Sequence, residues 1–186
     1  MQLGNHYRLY IGKFDMKTIQ LFDHISQQQE SNPNLNFYLL LDTAKNHIYI
    51  KRWLKTLSEK QFNQIGNLFH GTIDETSPLE VSPLLLHINQ ENNEVLQRTL
   101  LVSENIGMFS LIETSLSKQS LIKHLQPFLQ AEMPNGELAL FRFYDPSITK
   151  ILDKMLDEQE YQKLFKPLNN WWVQQANDNF NNLVSD

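Results

Sequence analysis

Few residues in this chain combine the type and the spacing that chemistry needs. Asp153 and Asp157 fall four residues apart, with Glu158 and Glu160 close behind. On one helix face such carboxylates could share a proton or hold a cation. An acidic, solvated face accounts for them equally simply and is the preferred reading. The histidines are His6, His24, His47, His70, His87 and His124. No two lie within a helical turn or a strand repeat, so no local pair chelates metal, and surface or satisfied core imidazoles are expected. The chain has no cysteine. That removes a thiolate zinc site, a cysteine nucleophile and a disulfide framework, and it fits a reducing compartment. The glycines Gly4, Gly12, Gly66, Gly71, Gly107 and Gly136 are scattered singly, and neither G-x-S-x-G nor H-E-x-x-H occurs. No phosphate-cradling loop or nucleophile elbow can be built from them. No catalytic, cofactor or metal residue is assigned, and a non-enzyme is expected.

Arg142 is the more informative charge. It falls near the end of a predicted strand over residues 137–144, on the face of Leu138 and Leu140. A guanidinium in an apolar strand stays charged and requires a carboxylate or several carbonyls. Asp42 and Asp145, each at the C-terminal end of a predicted strand, are the candidate partners. Arg142 then serves either recognition or catalysis at the sheet edge, or latches the last strand to the helix behind it. The latch is preferred. That helix opens well, with Asp145 as N-cap and Pro146 at the first helical position. Tyr144 completes the structural motif. Trp171 and Trp172 are adjacent, so a helix would point them about 100° apart. Either one ring joins an exposed protein-binding patch, or both pack beneath the tail.

These residues need elements to position them. Residues 14–29 carry Ile19, Phe22 and Ile25 at helical spacing, ending in a Gln-rich stretch. Ser31–Asn34 breaks the helix, and 35–41 is a continuous apolar run, the pattern of a strand buried on both faces. Ile48, Trp53, Leu54 and Leu57, then Phe62, Ile65, Leu68 and Phe69, suit two short helices, and 71–82 reads as a surface loop. Residues 83–88 form a second buried strand, its proline leading. Strands are also predicted over 95–102 and 108–112. Ser117 caps a helix carrying Leu121, Ile122, Leu125 and Leu129, which Pro127 ends or kinks. Pro134-Asn135-Gly136 is a turn. A helix with the stripe Ile148, Ile151, Leu152, Met155 and Leu156 follows, then one bearing Tyr161, Leu164 and Phe165. The Asn-rich end from 177 is expected to fray.

The 186 residues suit one compact unit that buries roughly 70% of its unfolded surface, so a core forms without metal or disulfides. The reading is α/β (α+β): a mixed sheet with flanking helices in an N-terminal lobe, 1–115. A mainly helical C-terminal lobe, 116–186, lends the 137–144 strand to the core. The formal charge of −5 and the single basic cluster Lys51, Arg52 and Lys55 argue against nucleic acid. Apolar runs fall far short of the about 20 residues that span a bilayer. The N-terminal residues lack a signal-peptide pattern. A cytoplasmic protein that contacts neither membrane nor nucleic acid is expected.

Several motifs also occur in a familiar order. Phe37-Tyr38-Leu39-Leu40-Leu41-Asp42-Thr43-Ala44 resembles the opening strand of the domain-of-unknown-function family numbered 4123. Leu68-Phe69-His70-Gly71-Thr72 and Val81-Ser82-Pro83-Leu84-Leu85 are similar to its next segments. Pro134-Asn135-Gly136, leading to Phe141-Arg142-Phe143-Tyr144-Asp145-Pro146, a helix and a Trp-bearing segment, is the most specific piece. The chain departs in residues 1–34, an extra N-terminal segment, and in Thr43, where glycine is common. The resemblance implies an adaptor chaperone of the bacterial type VI secretion system. Such a protein binds a toxic effector and helps load it onto the VgrG spike protein. An immunity-type inhibitor of a toxin, or a small enzyme assembled from distant residues such as Arg142, Asp42 and a histidine, are the alternatives.

Overall fold

The structure is a computed structural model that describes residues 16–89, 107–174 and 180–184, with side chains described from residue 23. The predicted 95–102 strand, any element before residue 16 and most of the Asn-rich end lie outside the described residues.

Strand β1 (Asn36–Asp42) is the centre of a six-stranded sheet. It pairs with β3 (Pro83–Ile88) on one side and β4 (Phe109–Thr114) on the other. The short β2 (Ile65–Asn67) extends the sheet beyond β3. Strands β7 (Asn170–Gln174) and β8 (Phe180–Asn182) extend it beyond β4. The order is β2-β3-β1-β4-β7-β8, and every pairing among the described residues is antiparallel.

Alternation along β1 explains why its sequence is apolar throughout. Tyr38 and Leu40 enter one core with Leu85, Ile112 and Trp171. Phe37, Leu39 and Leu41 enter the other with Leu84, Phe109 and Leu111. Helix α4 (Lys118–Leu125) and helix α7 (Glu158–Phe165) cover the first face through Leu121, Leu125, Leu164 and Phe165. Helix α1 (Met16–Ser31) and helix α2 (His47–Leu54) cover the second through Ile25, Ile50 and Trp53. The mixed α/β class expected from the sequence is the class observed. Local caps agree as well. Ser117 accepts from the Ser120 amide at 3.3 Å, and α7 opens with a capping box between Asp157 and Glu160.

Four expectations are corrected. The 137–144 strand shortens to β6 (Leu138–Leu140), which pairs only with β5 (Gln130–Glu132) in a separate two-stranded ribbon and adds no strand to the main sheet. Phe143 and Tyr144 are the reason: adjacent residues of a strand point to opposite faces, yet both of these enter the same core, so the chain turns there. The segment with Trp171 and Trp172 is β7, not a helix, and the strand sends the rings to opposite faces. The 146–156 helix splits into α5 (Pro146–Thr149) and α6 (Leu152–Met155). The Thr149 hydroxyl donates to the carbonyls of Phe143 and Asp145, a back-bond that disrupts helices, and Met155 ends half exposed. Finally, only Glu59–Phe62 (α3) of the second short helix forms, because Ile65–Asn67 joins the sheet as β2. Among the described residues no helix is long and apolar enough to cross a membrane.

Candidate functional site

The charged residues singled out by sequence meet at one place, the C-terminal end of β1. Leaving β1, the chain winds through a 3-10 turn, Thr43–Asn46, that lifts Lys45 over Asp42. One hundred residues later the segment leaving the ribbon lays Arg142 against the same end. Arg142 Nη2 donates to Asp42 Oδ1 at 2.9 Å and to Oδ2 at 2.7 Å. Lys45 Nζ donates to Asp145 Oδ1 and to the Gly107 carbonyl at 3.1 Å. Asp145 is also the N-cap of α5: its Oδ1 accepts from the Ser147 amide at 2.9 Å and hydroxyl at 2.7 Å. Pro146 occupies the first helical position and is buried. The guanidinium carbon of Arg142 lies 5.9 Å from the centroid of the Tyr144 ring, which packs on Phe69 and Phe143. The structure thus gathers Asp42, Arg142, Tyr144, Asp145 and Pro146 into one cluster.

Its electrostatics follow from unequal burial. The Asp42 side chain is 1% exposed and that of Arg142 is 42% exposed. Burial pushes the Asp42 carboxyl above the usual carboxylate range, against the opposing pull of Arg142. Burial also drives the Tyr144 hydroxyl up to about 12, again against Arg142. Asp145 moves the other way. Burial would raise it, but hydrogen bonds from Lys45 and Ser147 outweigh that and hold it below its ordinary value. Both Asp42 oxygens are occupied by the guanidinium, and the ammonium is shared between a carboxylate and a carbonyl. Such an arrangement ties chain to chain across one hundred residues.

A protein-family model, Domain of unknown function (DUF4123), matches residues 37–163. The chain belongs to this family. The DUF4123 match opens at Phe37 in β1 and closes at Lys163 in α7, so it contains the whole ionic cluster. Helix α1 and strands β7 and β8 lie outside it. No curated protein and no solved structure matches the chain.

Trp171 and Trp172 are far from an exposed pair. Trp171 is fully buried, and its indole N–H donates to Ser110 Oγ at 2.9 Å. Trp172 is half-buried, edge-on to His24 with ring centroids 5.4 Å apart. Two participants were not singled out from the sequence. Lys45 gave no signal, since its partner is distant in the chain. Glu113 did give one, as a carboxylate closing an apolar run in β4. It is buried, accepts from Asn170 Nδ2 at 2.8 Å, and faces His24 Nε2 at 3.7 Å. Asp153, Asp157, Glu158 and Glu160 stay on solvated surface, with Asp157 and Glu160 spent on the α7 cap. Among the described residues no three His, Cys, Asp or Glu side chains are placed to hold a metal ion.

Proposed function

We propose that this DUF4123 protein is an adaptor that works by binding, not by catalysis. It grips a protein effector of a type VI secretion system in the cytoplasm of the producing cell and promotes loading of that effector onto the VgrG spike. Membership of the DUF4123 family over residues 37–163 carries the reading. The geometry supports it in one respect: Asp42 and Arg142, the residues best suited to a catalytic role, are committed to each other. They tie the segment after the ribbon to the sheet and leave the outer surface to a guest. A specific complex buries on the order of 1,600 Å² in total. The interface must also release its cargo, which favours a partly polar contact.

Co-expression with the effector encoded beside it tests the proposal. A complex that co-purifies at micromolar concentration is expected, and deletion of the adaptor gene should stop export of that effector without harming the cell. Clean separation of the two proteins at that concentration would overturn the reading. A deletion that poisons the producing cell would identify an immunity-type inhibitor instead.

A further inference from the structure

The ribbon formed by β5 and β6 reverses the usual pattern of a solvated strand. Leu138 is 58% and Leu140 41% exposed, whereas Ala139 between them faces inward and is half-buried. Met133, beside the turn, is 47% exposed. The hydrogen bonding of the ribbon makes this pattern consequential. The Phe141 amide donates to the Leu129 carbonyl and the Met133 amide to the Glu137 carbonyl. With the register Gln130↔Leu140, Ala131↔Ala139 and Glu132↔Leu138, the inward-bonding residues of β6 are the odd-numbered ones. The N–H and C=O groups of Leu138 and Leu140 therefore point away from β5, along the outer edge. Among the described residues nothing pairs with them.

Edges of this kind are normally blunted by lysine, proline or an inward charge. Here the edge reads Leu-Ala-Leu, with its donors, acceptors and apolar side chains offered together. Glu132, opposite Leu138 on β5, and Glu137, just before Leu138, are both exposed and put two carboxylates at the turn end of the ribbon; they are the two charged residues between positions 125 and 141. We propose that the outer edge of β6 accepts an added β-strand from a polypeptide partner. The segment that fits is extended, apolar at alternate positions, and carries Lys or Arg at the end that lies by Glu132 and Glu137, so a lysine at each end serves either strand direction. The apolar surface on offer is on the order of 300 Å², well below the roughly 800 Å² each member of a stable protein pair buries. That favours a short segment over a second folded copy of the chain. The inference rests on the adaptor reading and deepens it by naming the kind of effector segment that docks.

The test uses the full chain and a synthetic peptide, Lys-Val-Thr-Val-Thr-Val-Lys, followed by amide NMR. In the free protein the Leu138 and Leu140 amides should exchange rapidly, and the peptide should protect both on binding. Leu138→Pro deletes one outward donor without touching a bond inside the ribbon, and Leu140→Arg opposes the peptide charge. Each should weaken binding about tenfold or more, as should replacing both peptide lysines with glutamate. Protected Leu138 and Leu140 amides in the free protein, a dimer that Leu140→Arg dissociates, or peptide affinity unchanged by all three alterations would each overturn the proposal. An effector that co-purifies equally with wild type and Leu140→Arg would sink the strand-addition site and leave the adaptor reading standing. Peptide binding without effector co-purification would do the reverse.

Discussion

The unequal exposure of Asp42 and Arg142 makes their pair a sharp test of what holds the cluster together. Arg142→Ala leaves a carboxylate, 1% exposed, without its counter-charge; Asp42→Asn leaves a guanidinium, 42% exposed, that can turn toward water. Removing one partner of a fully dry pair costs about 3–5 kcal/mol. Water reaching the exposed guanidinium side screens part of that, which puts Arg142→Ala at about 2–3 kcal/mol and Asp42→Asn at about 1 kcal/mol. For a chain of this size the larger loss lowers Tm by roughly 5–10 °C. The double variant should cost less than Arg142→Ala alone, because it no longer buries an unpaired charge. The pH dependence has a definite sign. Burial already raises the Asp42 carboxyl, with Arg142 opposing; without Arg142 it rises further. An acid with a raised native pKa binds more protons folded than unfolded, so stability falls as pH rises through that value. The Arg142→Ala deficit is therefore largest at neutral pH and shrinks on acidification. Urea unfolding followed by tryptophan fluorescence at several pH values measures all three variants. An Arg142→Ala loss below about 0.5 kcal/mol at neutral pH, or an Asp42→Asn loss exceeding it, would refute the reasoning.

Three further perturbations probe the packing. Gly66 sits under α4, where an added Cβ would come within 2.6 Å of Ile122 Cδ1; Gly66→Ala should cost about 1 kcal/mol, and close to nothing in an Ile122→Val background, by urea titration. Ser110→Ala strands the buried Trp171 indole N–H and should cost about 1–3 kcal/mol, with a changed near-ultraviolet circular dichroism signal. His87 is held below its ordinary pKa by burial and, secondarily, by Lys118. Its stabilising contribution is complete above that ordinary value and is lost as pH falls below it toward the native value, so His87→Gln should flatten the stability profile between about pH 7 and pH 5.

What the sequence disclosed was what local chemistry decides. Strands β1 and β3 were legible because burial on both faces leaves an uninterrupted apolar run, and Pro83 marks where β3 begins. Ser117 and Asp145 were legible because an N-cap bonds amides two or three residues away. Strand β7 was hidden: five residues with two adjacent tryptophans carry no visible period, and their extended form comes from pairing Ile112↔Trp171 and Ser110↔Val173 with β4. The meeting of Arg142 with Asp42 could be anticipated because a guanidinium beside aromatics must find a carboxylate. That Lys45 takes Asp145 could not, since either acid would have satisfied either base. The end of β6 was misjudged for a related reason. Phe141 to Tyr144 look like a strand in composition, but placing the adjacent Phe143 and Tyr144 in one core demands a turn.

These pieces locate the freedom of the molecule. Between β4 and β7 the chain makes a long excursion from the sheet and back. It is pinned at the end of β1 by the Asp42–Arg142 and Lys45–Asp145 pairs. On its return, His124 Nε2 bonds the Leu164 carbonyl at 2.8 Å, and Thr114 Oγ1 donates to the Pro167 carbonyl at 2.6 Å. The ribbon projects from the stretch between these ties; the Phe141–Leu129 bond closes its base, where Leu129 and Phe141 pack into the core. A two-stranded ribbon is marginal by itself, so its place must be kept by the anchors on either side. A guest strand added to the β6 edge would then extend the ribbon without disturbing any pairing of the main sheet. Weakening the Asp42–Arg142 tie should loosen the platform and reduce binding, even though neither residue touches the guest.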